Sequence, residues 1–215
     1  MNQRRNPKGL KTLTAKTYNQ KLYIRAIVEN DVIICTGPAG SGKSFIAAGI
    51  SAEHFMASKS EQIVVTRPLV CSGRNIGSLP GELGEKIQPY LKPMEENLKH
   101  FLGRDRHKHH FLAGNIKYEP LEVMRGATYD NTYMVLDEAQ NCTVDQIKMF
   151  ITRMGENSKA IINGDIGQTD LGSMSGLDLC IRKLENVNGV GIIKLGHEDI
   201  QRHGIIGQIL TALES

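Results

Sequence analysis

Between Gly37 and Ser44 the chain reads GPAGSGKS, a run of small residues closing on a lysine and a hydroxyl at the spacing G-x-x-x-x-G-K-[ST]. Glycines at those places let the backbone curl so that its N–H groups turn inward, and a helix starting there adds its dipole. Gly37, Gly40, Ser41 and Gly42 would then wrap a phosphate chain through their amides. Lys43 would reach the β- and γ-phosphates, and Ser44 would offer its hydroxyl to Mg²⁺. Such a loop names a ligand and leaves the reaction open.

The reaction is suggested further along. In YMVLDEAQ an apolar run ends in two acids, Asp137 and Glu138. Asp137 would belong to the Mg²⁺ shell, and Glu138 would orient and deprotonate a water for in-line attack on the γ-phosphate. In NGDIGQTDL another apolar run ends near Asp165 and Gln168, whose amide would contact both the γ-phosphate and that water. A built-in water activator favours hydrolysis, because a small-molecule kinase must keep water out.

Those side chains need rigid elements behind them. The runs at 32–35, 63–66, 133–136, 160–163 and 190–194 are short and continuously apolar, as strands buried on both faces must be. Helical patterns lie between most of them. Residues 143–154 show one, with Thr143 and Gln146 at capping-box spacing, and a last helix is expected over 200–212. Strand–helix alternation predicts an α/β fold with a mainly parallel sheet covered by helices on both faces. The segment from Pro68 to Tyr118 breaks that rhythm and reads as a helical insertion after the second strand, interrupted at Pro89 and Pro93. The GRDRHKHH stretch reads as an exposed loop, since its histidines lack metal-ligand spacing.

With 215 residues, 40% of them hydrophobic, the chain suffices for one α/β core and needs no disulfides. The four cysteines are widely spaced, and no apolar run approaches a membrane span, so a cytoplasmic protein with no membrane partner is expected. Residues 1–28 carry seven of the 26 Lys and Arg and no acid, leaving 19 against 23 acids in the remainder. A basic arm over 1–12 could meet nucleic-acid phosphates or be a solvated terminus. Arg67 and Arg125 admit the same two kinds of reading: a nucleic-acid or subunit contact, or a structural ion pair.

The segments LTAKTYNQKLYIRAI, TGPAGSGKS, VVTRP, LPGEL, EKIQPYLKPM, LEVMRGATYDN, LDEAQNCTVDQIKMFITRMGENSKAIINGDIGQTDL and DIQRH together resemble the PhoH-like proteins. These are P-loop ATPases similar to the first motor domain of superfamily 1 helicases. The resemblance runs from about Leu13 to Ile209 and implies a RecA-like ATPase domain over 13–215, hydrolysing ATP with Mg²⁺. It assigns Gln20 to the adenine edge, which an amide can pair bidentately. It also implies coupling to RNA or single-stranded DNA, with an ATP-gated binding switch as the alternative and a ribonuclease as the least favoured reading. This chain has CSGRNIGSLPG where an acid often precedes the family's LGFLPG, which leaves that segment's contacts open. The length leaves no room for the extra RNA-binding or nuclease domain of many relatives, so a minimal form of the kind phages encode is expected, acting in the host cytoplasm. Related helicases complete the site with an arginine from a second motor domain. Here DIQRH offers Arg202, either as a finger supplied in trans within a homohexameric ring or as a surface arginine capping a turn.

Overall fold

Six strands pair in one parallel sheet: β1 (Val32–Thr36), β2 (Gln62–Arg67), β3 (Ile116–Pro120), β4 (Thr132–Leu136), β5 (Lys159–Gly164) and β6 (Val190–Lys194), in the order β3-β2-β4-β5-β1-β6. The computed structural model describes residues 10–68 and 83–201, without the side chains of residues 83–88 and of Ser173. Among them lie α1 (Tyr18–Glu29), α2 (Lys43–Met56), α3 (Leu83–Leu102), α4 (Arg104–Leu112), α5 (Val144–Ile151) and α6 (Leu177–Leu184). None of the described helices is long and apolar enough to cross a membrane.

Side chains alternate across a strand, so the inner strands feed two cores. Ile33, Ile63, Val65, Val135 and Ile161 pack with α1, α2 and α3 on one face. Ile34, Val64, Met134, Leu136 and Ile162 pack with α5 and α6 on the other. The expected α/β architecture with helices on both faces is present. Register then sets the functional edge: Thr36 pairs with Gly164 and Thr66 with Leu136, so Gly37, Arg67, Asp137 and Asp165 leave their strands at the same end of the sheet.

The five expected strands are all found, and five features differ. The segment after β2 is a crossover that returns to the sheet as β3, an edge strand that among the described residues pairs only with β2. IKYEP mixes polar residues and ends in proline, which an edge strand tolerates and a central one does not. Second, α3 runs unbroken through Pro89 and Pro93. Its Leu91, Met94, Leu98, Phe101 and Leu102 are buried. Five such side chains at about 1.5–3 kcal/mol each outweigh roughly 3 kcal/mol per internal proline.

Third, the expected exposed loop GRDRHKHH lies mostly in α4, where His107 is buried and its Nε2 sits 2.8 Å from the Tyr118 hydroxyl. Fourth, α5 carries the expected capping box of Thr143 and Gln146 but ends at Ile151. The next residues turn away to bond Tyr129, whose N–H donates to the Arg153 carbonyl and whose carbonyl accepts from Gly155 N. At the expected start of the last helix, Ile200 and Gln201 are not helical; the rest of that helix lies outside the described residues.

Candidate nucleotide site

Residues 37–42 link β1 to α2. Gly42 precedes the helix at φ +95°, a left-handed conformation costly for other residues, and no side chain caps the first turn. Those amides stay free for an anion. Gly37 is required for another reason: a Cβ there would lie 2.6 Å from the Leu195 carbonyl oxygen. Lys43 Nζ donates to the carbonyls of Gly37 and, at 2.9 Å, of Pro38, folding back along its own loop.

The Ser44 hydroxyl donates to Asp137 Oδ1 at 2.8 Å. Asp137 is buried at the end of β4, and its N–H continues the ladder to the Thr66 carbonyl. The expected metal pair is therefore in contact. A hydroxyl and a carboxylate converging beside a cationic, amide-lined loop are the hard oxygen donors Mg²⁺ takes beside a phosphate, so the residues present fit the cation.

Glu138 follows at φ +58°, unusual for a side-chain-bearing residue, and its carboxylate is half exposed while that of Asp137 is not. Its Oε2 accepts from Gln140 Nε2 at 2.6 Å and its Oε1 from Arg67 Nη2 at 2.9 Å. Gln140 is buried, and its Oε1 accepts from Asp165 N at 3.0 Å, tying the end of β4 to the end of β5. Arg67 Nη2 also donates to Asp137 Oδ2 at 2.9 Å, and Nη1 to the Tyr90 carbonyl of α3 at 2.8 Å. Of the alternatives for Arg67, the described structure contains the ion pair, and it falls on the acidic pair itself. Arg125 is exposed.

A cavity of about 580 Å³ joins these groups. Ala39, Gly40, Gly42, Lys43, Ser44, Asp137, Glu138, Gly164, Asp165 and the exposed Gln168 line one part; Thr14, Lys16, Gln20, Phe45, Asn97 and Gln201 complete it. Gln168 is thus brought to the site as expected from its strand end. Gln20 borders the cavity, yet its amide is engaged: Oε1 accepts from Lys16 N at 2.8 Å and Nε2 donates to the Ser41 carbonyl at 3.0 Å. Among the loop residues, Ser41 is buried and its hydroxyl donates to the Pro38 carbonyl at 2.8 Å.

Arg202 lies outside the described residues. Gln201 immediately before it donates its N–H to the Gly40 carbonyl at 3.0 Å. Buried Asp199 accepts from the Thr17 hydroxyl, Asn19 Nδ2 and Gly196 N. Burial pushes its carboxyl up, and the hydrogen bonds outweigh that, holding it below its ordinary range.

Reasoning from the strands missed two groups and named a third, Arg67, without placing it on the acidic pair. Gln140 sits in LDEAQ at a spacing that signals nothing by itself. Arg67 follows an apolar run just as Asp137 does, and that position flagged it; only the structure shows that its partners are Asp137 and Glu138. Asn97 comes from α3, and only packing reveals it.

A family model described as PhoH-like protein matches residues 12–214. A PhoH-like protein of Bacillus subtilis is 40% identical over 212 residues, covering 98% of this chain and 66% of the relative. Protein PhoH of Escherichia coli K12 is 37% identical over 212 residues, covering 97% of this chain and 60% of its own. The chain thus spans somewhat under two thirds of these relatives. Among solved structures, the large terminase of a thermophilic bacteriophage in complex with ADP aligns with a TM-score of 0.52 at 14% identity, over 91% of this chain and 49% of that one. At that identity the likeness is one of fold. The family match takes in the Gln20 segment, the phosphate loop, all six strand ends and the approach to Arg202, so that every part of the site lies within it, and the chain belongs to the PhoH-like protein family.

Proposed function

We propose that the protein is a Mg²⁺-dependent ATPase, cytoplasmic, whose turnover is coupled to remodelling RNA or single-stranded DNA. The observation carrying this reading is the convergence of Ser44 on Asp137 beside Lys43, with Glu138 held at the mouth of the same cavity. Amides of the loop and of the first turn of α2 bind the phosphates, and Lys43 leaves its loop carbonyls for the β- and γ-phosphates. Bound Mg²⁺ would be held by Ser44 and Asp137 and would neutralise phosphate charge. Glu138 takes a proton from water at its carboxylate, and Gln168 orients that water.

Phosphate release by Glu138→Gln tests this directly. The expected fall is roughly 10²–10⁴-fold with nucleotide binding retained; wild-type turnover would remove the role given to Glu138. Coupling is read from the rate with and without single-stranded RNA or DNA over a range of lengths and salt. A second reading, an ATP-gated clamp with slow hydrolysis, draws support from the weak basicity of the chain beyond residue 28, 19 Lys and Arg against 23 acids. Absence of stimulation by either polymer favours it.

Arg202 is proposed to meet the γ-phosphate, in trans within a homohexameric ring. Gln201 lines the cavity of its own chain, which supports a position near nucleotide and leaves cis and trans to experiment. Mixing Arg202→Ala with Lys43→Ala subunits should restore partial activity if the finger acts in trans. Co-assembled mixtures that stay inactive refute it.

A further inference from the structure

Arg67 bridges the acidic pair. One guanidinium nitrogen, Nη2, donates to Asp137 Oδ2 and to Glu138 Oε1, both at 2.9 Å. With Ser44 on Asp137 Oδ1 and Gln140 Nε2 on Glu138 Oε2, all four carboxylate oxygens are hydrogen-bonded within the protein. The other terminal nitrogen reaches α3 at the Tyr90 carbonyl. That carbonyl lies in the helical turn between Pro89 and Pro93, where the second proline supplies no N–H and crowds the preceding turn. The Arg67 side chain is only 17% exposed, and its Nε is buried with no hydrogen-bond partner among the described residues.

Resting on the nucleotide reading of this site, we infer that Arg67 is a positioning residue that bars divalent cations from Asp137 and Glu138 until nucleotide enters, and that its release is passed to α3 through Tyr90. A fixed guanidinium satisfies the two carboxylates as a cation would, and repels a second cation arriving at the same oxygens. The phosphates of an incoming nucleotide offer the guanidinium an alternative partner, and only then is Asp137 Oδ2 vacated. The orphaned Nε makes the present position less than fully satisfied, which lowers the barrier to leaving it. Because the same head group holds the Tyr90 carbonyl, it cannot leave the acids without also loosening α3, which carries Asn97 into the cavity wall. The state of the metal site is thereby communicated to the long crossover between β2 and β3.

The test uses the full chain without nucleotide and Mn²⁺ as a paramagnetic probe, with free Mn²⁺ followed by electron spin resonance. Wild type should bind weakly. Arg67→Gln, which removes the charge, should bind at least about tenfold more tightly, and Arg67→Lys, which keeps it, should stay within about threefold of wild type. Hydrogen exchange over residues 91–98 gives the second readout: it should accelerate when ADP and Mn²⁺ are added to wild type and be already fast in either free variant, since neither can span the acids and Tyr90. Should Arg67→Gln not fold, the exchange of Arg67→Lys still decides the α3 link. Equal Mn²⁺ affinity of wild type and Arg67→Gln, α3 exchange unmoved by nucleotide and metal, or Mn²⁺ binding that survives Asp137→Asn in the Arg67→Gln background each overturns the inference. Those failures in a wild type that hydrolyses ATP leave the ATPase reading intact, whereas a wild type that binds no Mn²⁺–ADP removes that reading itself.

Discussion

Replacing Gln140 by methionine would keep the length of a buried side chain and delete both of its polar ends. Two hydrogen bonds disappear: Nε2 to Glu138 Oε2 at 2.6 Å and Asp165 N to Oε1 at 3.0 Å. A bond to a charged group contributes about 1.5–3 kcal/mol and a neutral one about 0.5–1.5 kcal/mol, giving roughly 2–4.5 kcal/mol for the pair. Glu138 is 45% exposed and keeps Arg67, so water and the guanidinium recover part of the first term. The expected loss is thus near the lower end, about 2 kcal/mol. With a urea slope near 2 kcal/mol/M for a chain of this size, the denaturation midpoint should fall by about 1 M. The same change frees one of the two anchors of the proposed base, and a displacement near 1 Å costs on the order of 10²-fold in turnover. A midpoint shift under about 0.3 M together with turnover within twofold of wild type would show that Gln140 neither ties β4 to β5 nor positions Glu138.

Gly37→Ala should destabilise by about 1–3 kcal/mol, because the added Cβ would meet the Leu195 carbonyl oxygen at 2.6 Å and Leu195 is held by its own N–H on the Thr36 carbonyl; thermal denaturation measures the loss, and nucleotide titration should show weakened binding. Burial holds the His107 imidazole below its ordinary range. An unfolded chain therefore binds the proton first, so stability should be fullest above about pH 6.5 and fall as the pH drops from there through the folded value. His107→Gln should flatten part of that fall in denaturation midpoints measured between pH 7.5 and 5.5, and an unchanged slope would remove His107 as its source. Asp199, held low, acts in a more acidic window: its contribution is complete above about pH 4 and is lost as pH falls through the folded value, so Asp199→Asn should weaken stability at pH 7 more than at pH 2.5.

The central strands were legible because burial on both faces demands continuous apolar runs, and the phosphate loop because its spacing is itself the chemistry. Strand ends then located Asp137, Glu138 and Gln168 without any tertiary information. β3 was not legible, since an edge position relaxes the apolar requirement that makes a strand visible. Neither was the continuity of α3: two prolines argue locally for a break, and only the buried face of Leu91, Met94, Leu98, Phe101 and Leu102 reverses that. Arg67 and Gln140 illustrate a different limit. Asp137 lies 70 residues from Arg67 and Asp165 lies 25 from Gln140, and these pairings depend on register, Thr66 beside Leu136 and Leu136 beside Ile162, which no local pattern states.

Nearly every polar group expected to meet nucleotide is already engaged with another part of the chain. Lys43 is on loop carbonyls, Ser44 on Asp137, the two acids on Arg67, and the Gln20 amide on Lys16 N and the Ser41 carbonyl. Binding would therefore exchange hydrogen bonds rather than create them, and each exchange is worth far less than a new bond in isolation. The free amides at the start of α2 are the main exception, so phosphate affinity should come chiefly from backbone. For Gln20 the consequence is specific. Its Oε1 keeps a second lone pair, and the second Nε2 hydrogen makes only a 3.5 Å contact with the Asp199 carbonyl, so an adenine edge would displace that weak contact while the bonds to Lys16 N and to the Ser41 carbonyl of the loop hold the amide in place. If Gln20 reads the base as proposed, the same residue also holds the loop beside it through the Ser41 carbonyl, which would tie recognition of the base to the geometry proposed to receive the phosphates.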